Sequence, residues 1–352
     1  MESAREIFEK TGADAMLTAA PDLRKYLTGF QSTFGYVYTD REESVFFTDP
    51  RYAEMAEQVL RDSPFRVRIV RSEKEVLAYA KERKASTLAV PCERITVPEY
   101  ARLKENGFTV TDSMPYLRES MMVKSPYELG CIAKACEIAE DALLAVMGQM
   151  REGMTENETA ALVEYEMRLH GAEDRSFETI AAFGRNSSVP HHHPDSTRLE
   201  KGMLVLIDFG CLYHGYCSDC TRTFLFGKGS GQDEIAKAYG AVYGAHMAAA
   251  ETIREGMTGK EADAVARNYL ADRGLDRFFT HSLGHGIGVN IHEDPYLSPS
   301  GNTALRNGMV FSDEPGVYFE GKFGIRIEDT VTLANGAVET FMKKTDKKLL
   351  VL

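Results

Sequence analysis

Short apolar runs alternate with amphipathic stretches over the first third of the chain. Ser44–Thr48 is such a run, and it follows the polar segment Thr39-Asp40-Arg41-Glu42, so the spacing predicts a hairpin there. Further short strands are expected near residues 65–70, 87–91 and 108–111. A helical period separates them over 73–83 and 98–105. This alternation predicts a small α/β domain, a mixed sheet with covering helices, over residues 1–122. No convergent set of catalytic residue types occurs in it. The boundary is expected between Asp112 and Lys124, with a second domain over 123–352. That domain opens at Ser125-Pro126-Tyr127-Glu128, a capping box with proline at the first helical position, and a long amphipathic run follows to about Met150.

The second part repeats itself. Arg151-Glu152-Gly153-Met154-Thr155 recurs as Arg254-Glu255-Gly256-Met257-Thr258. Each copy opens a helix with a capping box, Thr155 to Glu158 and Thr258 to Glu261, and each helix is expected to end near a glycine, Gly171 or Gly274. Gly202-Met203 then leads to Asp208, and Gly308-Met309 leads at the same spacing to Glu314. The pattern predicts two helix-plus-hairpin units facing each other, with a cleft between them.

The hairpins carry the chemistry. Leu204 to Asp208 is an apolar strand ending in a carboxylate, with a turn expected at Tyr213-His214-Gly215 and a return strand from Tyr216 to Phe224. A turn centred between Tyr213 and His214 places Asp208 opposite Asp219. In the second copy a turn centred on Gly321 places Glu314 opposite Glu328. Opposed residues share a sheet face, so each hairpin offers a pair of acids. Four such acids in one cleft would hold protons unless cations neutralised them, and hard divalent ions bridged by carboxylates provide that neutralisation.

Histidines cluster around the same segments: His191, His192 and His193, then His281, His285 and His292. His285 lies in Gly284-His285-Gly286-Ile287-Gly288, where small neighbours leave room for the ring. One histidine among four carboxylates suits manganese, cobalt or zinc better than magnesium. Arg326 precedes Glu328 by two residues on the same face and can pair with an acid or with a substrate carboxylate. Residues 185–193 show no helical or strand period and are expected to form a loop over the cleft.

Composition narrows the partners. A formal net charge of -12 disfavours nucleic acid and anionic membranes, and no apolar run is long enough to span a bilayer. The N-terminus, MESAREIFEK, is charged and lacks the apolar stretch of a secretory signal, so a cytoplasmic location is expected. Six scattered cysteines do not make a disulfide framework. Cys217 and Cys220 form a C-x-x-C inside a strand pattern, where two buried thiols are expected rather than a zinc or redox site.

These motifs resemble the pita-bread-fold metallopeptidases, specifically the Xaa-Pro peptidases (aminopeptidase P and prolidase). The likeness covers nearly the whole chain. Arg24-Lys25-Tyr26-Leu27-Thr28-Gly29-Phe30 and Thr48-Asp49-Pro50-Arg51-Tyr52 resemble the family's creatinase-like N-terminal domain. Ser176-Phe177-Glu178-Thr179-Ile180, Val189-Pro190-His191, Gly284-His285-Gly286-Ile287-Gly288, Ile291-His292-Glu293, Glu314-Pro315-Gly316 and Arg326-Ile327-Glu328-Asp329 resemble its catalytic signatures. The resemblance implies an α/β (α+β) fold, with a small creatinase-like domain followed by a pseudo-symmetric pita-bread catalytic domain. It implies five metal ligands: Asp208, Asp219, His285, Glu314 and Glu328, with Asp219 and Glu328 bridging two divalent ions. His191, His281, His292 and Arg326 match positions that bind substrate and move protons, and Glu314 doubles as the proton carrier. Two departures stand out. Asp313 occupies a usually apolar position and is expected to face away from the ions, and Phe183 is expected to narrow the choice of substrate.

The activity implied is hydrolysis of the N-terminal bond of short peptides with proline second, by a homodimer loaded with manganese. In such a site two ions ~3.5–4 Å apart activate a shared water, and His281 or His292 stabilises the oxyanion. Phe177 and His191 would wall the proline, and Arg326 or His191 would meet the free carboxylate of a dipeptide. A creatinase-type C–N hydrolase, a methionine aminopeptidase and a non-catalytic pita-bread binding protein share the fold. The filled ligand set, and the N-terminal domain in the case of methionine aminopeptidase, argue against them.

Overall fold

A computed structural model describes residues 4–352. They form two compact units, the first ending at Met121 and the second spanning Met122–Leu352. No helix among the described residues is long and apolar enough to cross a membrane.

The first unit is built on a six-stranded mixed sheet. Its strands are β1 (Ala15–Thr18), β2 (Tyr36–Asp40), β3 (Ser44–Thr48), β4 (Phe65–Ile69), β5 (Thr87–Val90) and β6 (Thr109–Asp112), in spatial order β4-β3-β2-β1-β5-β6. The expected hairpin is β2–β3, and Asp40 caps its turn by accepting the N–H groups of Glu42 and Glu43. Helices over Glu73–Glu82 and Val97–Glu105 lie where the helical period predicts. The sequence pattern does not reveal β1. All four of its residues are buried, so no polar alternation marks it, yet it lies inside the sheet, pairing antiparallel with β2 and parallel with β5.

The second unit contains the repeat. Helices Pro126–Met147 and Glu156–Leu169 pack together, as do Gln232–Thr252 and Gly259–Ala271. All three expected capping boxes form, at Ser125, Thr155 and Thr258. Each reciprocal cap satisfies two N–H groups that a helix start would otherwise leave unpaired. The helices cover twisted hairpins. Met203–Phe209 pairs with Cys220–Phe226, and Val310–Asp313 pairs with Asp329–Ala334. Continuous apolar faces on these strands form the two cores, one around Val205, Ile207 and Phe224, the other around Phe311, Ile325 and Val331.

One register differs from expectation. The first hairpin turns at His214-Gly215, both with positive φ, so Asp208 pairs with Thr221 rather than Asp219. Two consecutive residues in that conformation make the tight turn that matches strand twist. Because the shift is two residues, the face assignment survives. The second hairpin follows the predicted register. One constant offset pairs Gly316 with Arg326 and Asp313 with Asp329, which sets Glu314 across from Glu328 in the gap between two ladders.

Candidate metal centre

Three of the four acids sit where strands are interrupted. Asp219 lies between Tyr216–Cys217 and Cys220–Phe226, Glu314 between Val310–Asp313 and Gly316–Phe319, and Glu328 between Phe323–Arg326 and Asp329–Ala334. At each break the backbone finds a partner outside its own hairpin. The Asp219 N–H donates to Thr330 Oγ1 (3.0 Å), the Glu314 N–H to the Leu283 carbonyl (2.9 Å) and the Glu328 N–H to the Thr221 carbonyl (3.1 Å). The last contact is a bridge between the two copies of the repeat. Asp208 is the last residue but one of the strand Met203–Phe209 and faces the same space.

That space is a cleft of ≈ 400 Å³ whose lining residues all belong to the second unit. All nine sequence-predicted site residues line it: Asp208, Asp219, His285, Glu314, Glu328, His191, His281, His292 and Arg326. Residues 190–194 also line it, although 184–188 form a 3-10 turn rather than an open loop. Phe183 does not reach the cleft. It is 1% exposed and packs in the core, so it does not narrow substrate choice as expected. Asp313 turns away, as expected, and its carboxylate lies 3.1 Å from His246 Nδ1 on the helix Gln232–Thr252. Cys217 and Cys220 are buried free thiols outside the cleft.

The donor set fits divalent cations. Ligand atoms of Asp219, His285 and Glu328 all lie within 4.8 Å of one another. Burial, reinforced by Glu328, Asp208 and Glu314, pushes the Asp219 carboxyl well above the usual range. Burial and the acids Glu314 and Asp208 do the same to Glu328. Glu314 rises to about 8, chiefly by burial. Such acids keep their protons unless positive charge enters the cleft. Asp208 Oδ1 is buried without a hydrogen-bond partner, which leaves an acceptor for a cation. His285 Nδ1 lies 3.1 Å from the Gly286 carbonyl, which can only accept, so Nδ1 carries the proton. The lone pair on Nε2 then points at Asp219 (3.6 Å) and Glu314 (3.4 Å), the tautomer a metal ligand needs. Burial lowers the His285 pKa to about 3, which keeps that nitrogen free.

A hydrogen-bonded relay flanks the acids. Arg326 donates through Nη2 to Asp208 (2.5 Å), through Nε to Thr221 Oγ1 (2.9 Å) and through Nη1 to Tyr318 Oη (2.6 Å). The Tyr318 hydroxyl lies 3.0 Å from His281 Nε2, and His281 Nδ1 donates to the Ser282 carbonyl (2.9 Å). Tyr318 therefore donates to His281. Nothing in the sequence pattern marks Tyr318. It belongs to a buried strand, and only the register beside Arg326 gives it a role. Arg326 is 4% exposed and each of its nitrogens already donates to a protein acceptor, Asp208 among them. The His292 ring packs edge-on against His285 at 4.2 Å. Phe177 and His191 both line the cleft.

The chain is similar to known proteins along nearly its whole length. Residues 130–335 match the model of metallopeptidase family M24, and residues 1–120 match the creatinase/prolidase N-terminal domain. The chain is 34% identical to the Xaa-Pro dipeptidase of Pyrococcus furiosus over 353 residues, covering 99% of each. Two solved structures superimpose closely. An X-Pro aminopeptidase from Thermotoga maritima gives a TM-score of 0.92 at 34% identity, over 99% of this chain and 100% of that one. An Xaa-Pro dipeptidase from Bacillus anthracis also gives 0.92, at 32% identity over 99% and 98%. With more than half its length matched by one family model and the ligand-type side chains gathered in a single cleft, the chain belongs to metallopeptidase family M24.

Proposed function

We propose that this protein hydrolyses the N-terminal peptide bond of peptides with proline in second position, using two divalent ions held by Asp208, Asp219, His285, Glu314 and Glu328. The observation that carries the reading is the convergence of these five side chains in one cleft, with His191, His281, His292 and Arg326 around them. Asp219 and Glu328 would be shared by the two ions, with Asp208 helping to hold one and His285 with Glu314 the other. Manganese is the favoured metal, with cobalt or zinc as substitutes, because a lone imidazole among carboxylates suits borderline ions. We assign a domain division at 122/123, a homodimer and a cytoplasmic location. The formal net charge of -12 disfavours an anionic membrane surface as its site.

When bound, the ions would supply Lewis acidity and make water a better nucleophile. Glu314 would accept a proton from the attacking water and deliver it to the leaving nitrogen. His292 donates to the carbonyl oxygen as it gains charge. His281 is less suited, since both its nitrogens are already engaged by Ser282 and Tyr318. Arg326 holds Asp208 in place and, through Tyr318, fixes the ring of His281. Phe177 and His191 receive the proline ring. Proline suits the site because its nitrogen has no hydrogen to satisfy.

The test is turnover of Ala-Pro-Ala against Ala-Ala-Ala, using protein purified without chelator and reloaded with manganese, with metal content measured alongside. About two ions per chain and strong preference for the proline peptide are expected. Saturation at one ion with full activity would remove the two-ion assignment, and equal rates on the two peptides would remove proline.

A further inference from the structure

We infer that the cleft is built for peptides that continue beyond the proline, so that the enzyme acts as an aminopeptidase rather than a dipeptidase. This rests on the Xaa-Pro reading above and concerns what the same cleft offers after the scissile bond.

In an Xaa-Pro dipeptide the carboxylate carbon is two bonds from the scissile nitrogen. When that nitrogen reaches the acids on the cleft floor, the carboxylate must enter too. A carboxylate taken out of water needs a cation or a full set of donors. Among the residues lining the cleft there is one guanidinium, Arg326, and no lysine. Arg326 is buried, its charge is balanced by Asp208, and its other nitrogens bind Thr221 and Tyr318. Recruiting it would strip Asp208 of its partner.

The histidines do not replace it. His192 is tied to Glu156 at 2.7 Å, His281 is held between Ser282 and Tyr318, and His285 faces the acids. His191, His193 and His292 can donate hydrogen bonds, but an imidazole lacks the paired donors and fixed charge with which a guanidinium grips a carboxylate.

The rim does not supply that charge either. The 72% exposed Glu178 side chain lies between the 87% exposed His193 (3.8 Å) and Arg175 (3.7 Å), and Arg175 is spent on Glu178 and on Glu164 (2.7 Å). Tyr296 is 45% exposed and pairs across the ladder with His285, which sets its ring beside the metal centre. Beyond the metal centre, a dipeptide thus meets an aromatic ring and an already paired acid where its carboxylate needs a cation of its own. A longer peptide presents a neutral amide at the same point, and its next residue can pass over Tyr296 into solvent.

The experiment compares Ala-Pro, Ala-Pro-NH2 and Ala-Pro-Ala on the manganese-loaded full-length enzyme. Ala-Pro and its amide have nearly the same size and differ in charge. The amide and the tripeptide are expected to exceed Ala-Pro in kcat/KM by about tenfold or more, chiefly through KM, the scale for a charged group left without a partner. Prolinamide should also inhibit more strongly than free proline. Tyr296→Arg places a guanidinium at the rim and should narrow the gap by improving Ala-Pro alone. Wild-type kcat/KM for Ala-Pro equal to or above that of its amide and the tripeptide would overturn the inference. Failure of the proline reading registers separately, as equal rates on Ala-Pro-Ala and Ala-Ala-Ala. The acid-to-amide comparison on Ala-Ala and Ala-Ala-NH2 would then still decide whether the cleft rejects a carboxylate.

Discussion

Glu156 offers a demanding test of how the cleft is held in shape. It is the first residue of the helix Glu156–Leu169 and is fully buried, without being a proposed ligand. Its carboxylate accepts four hydrogen bonds: from the Phe183 N–H (2.7 Å), the Asn186 side-chain amide (3.0 Å), His192 Nε2 (2.7 Å) and the Asp195 N–H (3.1 Å). These donors bracket the segment that carries Pro190 and His191 into the cleft. The positive end of the helix favours the anion further. Glu156→Gln keeps the shape but removes the charge and turns one oxygen into a donor, which must then face an N–H or the His192 ring. Buried hydrogen bonds to a charged group are worth about 1.5–3 kcal/mol each. Losing one outright and weakening the others should cost about 2–4 kcal/mol. For a unit of this size that lowers Tm by about 5–15 °C. KM for Ala-Pro-Ala should rise by about tenfold as His191 loses its anchor, with a smaller fall in kcat and metal content unchanged. Thermal unfolding by circular dichroism, elemental analysis and steady-state kinetics read the three quantities. His192→Ala removes a single donor and should have a milder effect. A Glu156→Gln protein with wild-type Tm and wild-type KM would refute the reasoning.

Other substitutions separate the remaining roles. His292→Ala should lower turnover by about 100-fold while metal content stays constant, whereas His285→Ala should reduce metal occupancy; exchanged phenotypes would reverse the ligand assignment. Tyr318→Phe breaks the link from Arg326 to His281 and should cost about 10–100-fold in kcat/KM with metal retained; unchanged kinetics would remove Tyr318 from the site. In the first unit, Asp40 is buried, which raises its pKa, but hydrogen bonds from Arg83, the Glu43 and Glu42 N–H groups and Tyr38 outweigh burial and hold it below 3.8. A depressed carboxyl contributes stability above its unfolded value and loses it as pH falls through the folded value. Asp40→Asn should therefore be destabilising near neutral pH, and the Tm gap should close as the pH falls below 3.8. A gap that stays constant down to about pH 3 would contradict the shift.

Much of the architecture is visible in local signals. Capping boxes at Ser125, Thr155 and Thr258 depend on residues three apart, so spacing alone finds them. The β2–β3 turn and the second catalytic hairpin declare their register through turn residues and strand lengths. The first catalytic hairpin is less legible. His214 must adopt positive φ for the turn to sit where it does, and the sequence contains no asparagine or second glycine there to announce it. The acid pair still reaches the cleft, because a two-residue slip preserves the face.

The sequence by itself determined the duplication, the residue types of the site and their grouping on two hairpins, because hydrophobic period, caps and turns act over a few residues. Tertiary structure decided which donors are spent and which are free. Arg326 reads equally well as an acid's partner or a substrate's, until Asp208, Thr221 and Tyr318 close around it from strands far apart in the chain. Tyr318 and Glu156 acquire roles only through contacts made by chain packing, and Phe183 loses one for the same reason. Charge and hydrogen-bond capacity are properties of a residue. Whether that capacity is already satisfied depends on neighbours that only the folded chain brings within 3 Å.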